Sequence, residues 1–326
     1  MVIKKNVAFV FPGQGSQTVG MFAELAEKYS LVTDLFASAS KILNDDLWKI
    51  VSNGPAEVLN QTIYTQPAML VADVAMWYCW QKQDRFIPAF VAGHSLGEYA
   101  ALVAAEAISF DDAVKLVVKR ANFMQEAVAE DQGAMAVMLG LSQEQVITLC
   151  QETTKEISGV VEAVNFNAPG QIVIAGETQA VDKAMELAQK IGSRRTKKLP
   201  VSVPSHCQLM KTAANQLAKY LESVSIVSPK IPVVNNVDVA VVDHPDDIRD
   251  ALVRQLYNPV RWIEIINKLF NEGINEVVEC GPGKVLTGLC KRIHSELQLF
   301  NLNDAEALYW IPAIVYPGES RDLNDD

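Results

Sequence analysis

Short unbroken apolar runs alternate along this chain with stretches in which apolar residues recur every three or four positions. Asn6–Phe11 (NVAFVF) ends at Pro12-Gly13, as a strand buried on both faces does when it runs into a loop. Met21–Leu43 has a helical period, Phe90–Ala92 reads as a second strand, and Leu96–Ala105 is rich in the helix formers Ala and Leu. Asp111–Ala129 predicts a helix with Asp111 and Asp112 in its first turn, where the dipole favours acids. Met69–Trp80 is the longest apolar stretch. Interrupted by Asp73 and too short to span a bilayer, it predicts a buried helix.

The middle of the chain has another rhythm. Strands at Ala134–Gly140, Val160–Phe166, Ile172–Ala175 and Arg194–Val201 are separated by helices at Ser142–Lys155 and Thr178–Ile191 and by a turn at Asn167–Gly170. That order is βαββαβ, the ferredoxin-like pattern. The first rhythm then returns with a strand at Ile231–Asn236, helices at Asp246–Leu256 and Val260–Asn271, a strand at Glu276–Cys280, and a helix at Lys284–Leu297 after Gly-Pro-Gly. The expected fold class is therefore α/β, with a small subdomain at 131–198 inserted into a larger domain made of 1–130 and 199–300. Segment 301–326 holds six acids against Arg321 alone and is expected to be a loosely held acidic tail.

Composition narrows the function classes. A formal charge of −11 argues against nucleic acid as a general partner. Five scattered cysteines without a CxxC pair imply neither a disulfide framework nor a zinc site, so a reducing, cytoplasmic setting is expected. The apolar run after Lys4-Lys5 is short and lacks a small-residue cleavage site, so no signal peptide is expected, and no membrane partner is expected either.

Gly93-His94-Ser95-Leu96-Gly97 fits G-x-S-x-G, a pentamer that chance supplies in about one chain in ten of this size. Its position between a predicted strand and an Ala/Leu-rich helix is what a nucleophile elbow needs. Ser95 would then project at a helix N-terminus, whose free N–H groups stabilise an anion. A Gly-rich turn with a capping serine is the plainer alternative. A serine nucleophile needs a base, and the chain offers His94, His206, His244 and His294. His94 is adjacent in sequence and faces away, His244 sits in an Asp/Pro-rich loop, and His294 lies near Lys291 and Arg292. His206, in VPSHC where a strand leaves the small subdomain, is best placed to overhang a cleft, although a structural histidine is the alternative. Phe11–Gln17 is no dinucleotide loop, since Thr18 stands where a glycine is required. It remains a Gly-rich loop able to face an oxyanion. Arg120, inside an apolar stretch, either snorkels to the surface or pairs with a buried carboxylate, and pattern alone favours the first.

Taken in order, FPGQGSQ (11–17), GHSLGEYAAL (93–102), Arg120, NFNAPGQIVIAG (165–176), VPSHC (203–207), QLYNPVRW (255–262) and ECGPGKVLTGL (279–289) resemble the malonyl-CoA:acyl carrier protein transacylases of bacterial fatty acid synthesis. The resemblance covers about residues 5–297. It implies an α/β-hydrolase-like large domain with an inserted ferredoxin-like subdomain. It implies Ser95 as the acylated nucleophile, His206 as its base, and the Gln255 backbone carbonyl in place of an orienting Asp. It implies an oxyanion hole from the N–H groups of Gln14 and Leu96, and Arg120 as the receptor for the malonyl carboxylate, which reverses the reading from pattern alone. His94, Asn165 and Asn167 are candidates to line the acyl cleft, with turn chemistry as the alternative for the two asparagines. The partners implied are malonyl-CoA and acyl carrier protein, with no metal or cofactor. Arg194-Arg195-Thr196-Lys197-Lys198, the one dense basic run, is a candidate dock for an acidic carrier protein or simply a guarded strand edge. A serine esterase or thioesterase on the same elbow and a silent synthase scaffold are the rival readings.

Overall fold

The computed structural model describes residues 3–83, 86–129, 131–201, 203–309 and 311. Among these residues nine strands form two sheets: β1 (Ile3–Phe11), β2 (Ile87–Gly93), β3 (Gly133–Leu139), β4 (Val161–Ala168), β5 (Gln171–Glu177), β6 (Arg195–Lys198), β7 (Val233–Val234), β8 (Glu276–Cys280) and β9 (Gln298–Leu302).

The larger sheet has the order β7-β2-β1-β8-β9, and every pair in it is parallel. Helices cover both faces, which is why β1 is apolar at successive positions. Val7, Phe9 and Phe11 face one core with Trp77 and Trp80 of helix Thr62–Gln81. Ala8 and Val10 face another with Trp262, Ile265 and Leu289. Register sets Phe11 beside Gly93, so the loops that follow β1 and β2 leave the sheet side by side at its carboxyl edge. That edge is where open parallel sheets put their ligands.

The smaller sheet is antiparallel, in the order β4-β5-β3-β6, with helices Gln143–Ile157 and Thr178–Lys190 inserted between its strands. Ser142 opens the first helix with a capping box: its side chain accepts from Gln145 N and the Gln145 side chain accepts from Ser142 N. One face buries Ala136, Met138, Ile172 and Ile174 under these helices. The other presents Met135, Val164 and Val173 to Cys207 of the larger unit. Strand β4 also clasps Val260, whose N–H donates to Val164 O and whose carbonyl accepts from Phe166 N.

That clasp corrects one expectation. Val260 spends both backbone groups on β4, so the helix expected from 260 begins at Trp262. The strand expected over 231–236 narrows to Val233–Val234, because Asn235 N–H donates to Ala240 O in a turn and Asn236 N–H donates to Glu98 Oε2. The helix expected over 21–43 breaks at Tyr29, which is extended (φ −132°, ψ 101°). The helix expected to reach 297 stops at Ile293, and the chain continues as β9. The first part of the segment expected as an acidic tail from 301 is packed, since β9 reaches Leu302 and Leu302, Ala305 and Leu308 are buried in the main core. Residues 310 and 312–326 of that segment lie outside the described residues.

Candidate active site

The elbow after β2 is built from close approaches. A Cβ at Gly93 would stand 1.8 Å from the Gly97 carbonyl carbon, and one at Gly97 would stand 2.0 Å from the Phe11 carbonyl oxygen. No side chain fits at either place, so the turn needs both glycines. Between them Ser95 adopts φ +53°, a left-handed conformation that non-glycine residues enter at a cost. Asn236 holds the turn from below: its Oδ1 accepts from Ser95 N (2.7 Å) and its Nδ2 donates to Gly93 O (2.7 Å).

His206 meets the serine from the loop before the short helix Gln208–Met210. Its Nδ1 donates to the Gln255 backbone carbonyl (2.7 Å), which leaves Nε2 to accept the Ser95 hydroxyl proton (2.7 Å). Burial and then the Arg120 charge lower the His206 pKa to about 3, so the ring is neutral and free to act as a base at neutral pH. Unfolded chains protonate histidine near 6.5, the folded protein only near 3, so stability falls as pH drops below 6.5. His206→Gln removes this group, and thermal unfolding of the variant is expected to lose less Tm than wild type between pH 7 and pH 5. Equal losses would defeat the assignment of a buried neutral imidazole.

Arg120 stands in the middle of helix Phe110–Ala127 and is 2% exposed. Its NH2 donates to Ser95 Oγ (3.3 Å) and Gln255 Oε1 (3.1 Å), and its NH1 to Gln66 Oε1 (2.5 Å). The guanidinium lies over the Tyr99 ring, 5.4 Å from its centroid. Every one of these contacts is to a neutral group, and Nε has no partner. Among the described residues no carboxylate forms an ion pair with it. A buried cation with no carboxylate in contact is expensive, and a bound anion would offset that expense.

Gln14 lies in the loop after β1. Neighbouring Gly13 presses on the elbow, where a Cβ would stand 2.5 Å from His94 O and 3.7 Å from Leu96 N. Neither Gln14 N–H nor Leu96 N–H donates to a protein acceptor among the described residues, so both are free for an oxyanion. His94 turns away from Ser95, and its Nε2 donates to Asn167 Oδ1 (2.8 Å). His94 therefore ties the elbow to the small sheet, and burial lowers its pKa. Asn165 is buried in β4, where its backbone pairs with Val173 of β5 and bridges to Val260. Ser95, His206, Gln255 and Arg120 thus converge, Leu96 follows Ser95 in the elbow, Gln14 follows the Gly13 that packs on it, and His94 hydrogen-bonds Asn167. A cavity of about 670 Å³ lies elsewhere, between helix Gln143–Ile157, β4 and the turn at 259–264, and none of these residues lines it.

Gln66, Glu98, Tyr99 and Asn236 belong to the site and were not singled out by the sequence. Their signal was present but faint: Gln66 and Glu98 are polar residues inside otherwise buried helices, and Asn236 ends the apolar run at 231–236. No helix among the described residues is long and apolar enough to cross a membrane, and no cluster of three or more metal-ligating acidic, His or Cys side chains occurs among them.

A serine hydrogen-bonded to a histidine on a parallel-sheet elbow, beside unpaired N–H groups and a buried arginine, is an arrangement of the class of α/β serine enzymes that cleave or transfer acyl groups. The acyl transferase domain family matches residues 8–306. The malonyl CoA-acyl carrier protein transacylase of Escherichia coli is 52% identical over 301 residues, which is 92% of this chain and 97% of that protein. An acyl carrier protein S-malonyltransferase from Vibrio cholerae superposes with a TM-score of 0.90 at 51% identity, covering 94% of this chain and 99% of the other. A malonyl-transacylase solved in complex with its type II PKS acyl-carrier protein superposes at 0.93 with 49% identity, covering 95% and 99%. The chain belongs to the malonyl CoA-acyl carrier protein transacylase family.

Proposed function

We propose that the protein moves a malonyl group from malonyl-CoA to the phosphopantetheine thiol of acyl carrier protein, by a ping-pong reaction through a malonyl-Ser95 ester. The observation that carries this reading is the buried Arg120 guanidinium, 3.3 Å from Ser95 Oγ with only neutral partners. It suits an acyl group that brings its own carboxylate. The names of the relatives agree with that substrate.

In the first half-reaction the malonyl carboxylate pairs with Arg120. His206 Nε2 takes the Ser95 proton as Oγ attacks the thioester carbonyl, and the N–H groups of Gln14 and Leu96 receive the oxyanion. The intermediate collapses, the C–S bond breaks, and His206 returns the proton to the departing coenzyme A sulfur. In the second half-reaction the carrier-protein thiol gives its proton to His206 and attacks the ester. Ser95 then leaves with that proton, and malonyl is again a thioester. The arginine charge is one cause of the depressed His206 basicity, so a carboxylate that neutralises Arg120 strengthens the base when substrate is bound. The chemistry needs no metal or cofactor. We read the βαββαβ segment as a ferredoxin-like subdomain within an α/β-hydrolase-like frame, and the five free, buried cysteines favour the cytoplasm.

The test is intact mass after brief exposure to malonyl-CoA. One added malonyl group, discharged by carrier protein, is the expected result. Free malonate without an adduct would instead indicate a hydrolase.

For the carrier protein we propose β6, the edge of the small sheet, as the dock. Arg194, Arg195 and Lys197 are exposed there, while Lys198 pairs with Asp182 (2.8 Å). Reversing Arg195 and Lys197 to Glu is expected to raise the KM for carrier protein about tenfold and leave that for malonyl-CoA unchanged. An unchanged carrier KM would remove β6 as the dock.

A further inference from the structure

Glu98 sits in the first turn of helix Gly97–Ala104, buried at 3% exposure, and the reaction described above gives it no part. Its Oε2 accepts two hydrogen bonds, from Gln255 Nε2 (2.9 Å) and from Asn236 N (2.9 Å). Those two residues frame the nucleophile. Asn236 holds the elbow through Ser95 N and Gly93 O. Gln255 reaches three groups: its backbone carbonyl orients His206, its Nε2 also donates to Ser95 O (3.1 Å), and its Oε1 accepts from Arg120 (3.1 Å).

A primary amide is directional, donating at one end and accepting at the other. With the Glu98 carboxylate and the Ser95 carbonyl on one side, only Nε2 of Gln255 can face them. Oε1 is then left to face the guanidinium. The reversed amide would set oxygen against carboxylate and N–H against a cation. Without the Glu98 acceptor, one of the two groups that fix this orientation is gone. Glu98 is thus connected to the Arg120 cation through a single side-chain amide, without touching it.

We propose that Glu98 is a positioning residue for substrate choice: by fixing the Gln255 amide it seats Arg120 over Ser95, and so sets the preference for an acyl group that carries a carboxylate. This rests on the malonyl-transfer reading. Burial pushes the Glu98 carboxyl up to about 7, a rise that the hydrogen bonds from Gln255 and Asn236 and the nearby Arg120 charge only partly offset.

The experiment measures single-turnover acylation of Ser95 by malonyl-CoA and by acetyl-CoA, per active site titrated, in wild type and Glu98→Ala. A malonyl-over-acetyl ratio lower by about tenfold or more is expected, the loss that follows when one hydrogen bond to a charged group is removed. A fall of both rates by the same factor would overturn the proposal, because general damage to the elbow or the fold affects both substrates alike. Should the alanine variant not fold, Glu98→Asp withdraws the carboxylate by one methylene. It is expected to skew the ratio in the same direction, and an unchanged ratio there also overturns the proposal. Wild type separates the two readings: absent malonyl loading in wild type defeats the assigned reaction, whereas normal loading with an unchanged variant ratio defeats only the role of Glu98.

Discussion

Ser95→Ala is expected to form no malonyl adduct and to lose transfer activity by at least about a thousandfold, the scale seen when the nucleophile of a base-paired serine is removed. The substitution removes one oxygen and little else. The contacts that hold the elbow are made by backbone, from Ser95 N to Asn236 Oδ1 and from Gln255 Nε2 to Ser95 O, and alanine keeps both. The left-handed φ of +53° strains serine and alanine alike, so thermal stability is expected to change little. Arg120 loses one contact of 3.3 Å and keeps Gln66 and Gln255, so malonyl-CoA still binds. Calorimetric titration of the variant with malonyl-CoA, beside intact mass, separates binding from chemistry. An adduct on the alanine variant would place the acyl group on another residue and remove Ser95 as nucleophile.

The elbow was legible because its sequence signals are local. Both glycines answer to close approaches of neighbouring backbone, and Ser95 lies between a strand and a helix that each announce themselves by pattern. The βαββαβ order of the small sheet was legible for the same reason, since each strand and helix has its own period. What escaped is non-local. Val260 has the composition to begin a helix but is taken by a strand about 95 positions earlier, through hydrogen bonds with Val164 and Phe166. The continuation of the chain as β9, parallel to β8, is likewise a long-range pairing that no short window displays. Arg120 shows how far pattern alone can mislead. An arginine in an apolar helix usually reaches for solvent, and here it is buried against Gln66 and Gln255, which lie 54 and 135 positions away. Glu98 and Asn236 were missed because buried polar residues gain meaning only from their partners, and theirs lie far away in the sequence.

Arg120→Ala is expected to lower kcat/KM for malonyl-CoA by about a hundredfold to a thousandfold, the value of two charge-assisted hydrogen bonds formed out of water. Acetyl-CoA is expected to respond in the opposite direction. An acetyl group leaves the buried cation unpaired, so removing the cation removes that penalty. Arg120 is also a cause of the low His206 basicity, second after burial, so its loss strengthens the base for any substrate that cannot neutralise it. Both effects raise acetyl transfer, and the malonyl-over-acetyl ratio should collapse from two directions. Arg120→Lys should restore little, because one ammonium cannot reach Gln66 and Gln255 while holding a carboxylate in two-point contact. Stability is expected to fall less than for an ordinary large-to-small change in a core, because the cavity is partly offset by removing a buried charge with no carboxylate in contact and an unpartnered Nε. Steady-state kinetics with both thioesters checks this, with thermal unfolding alongside. A variant that loses malonyl and acetyl transfer in equal proportion would make Arg120 a structural residue and leave substrate choice without its receptor.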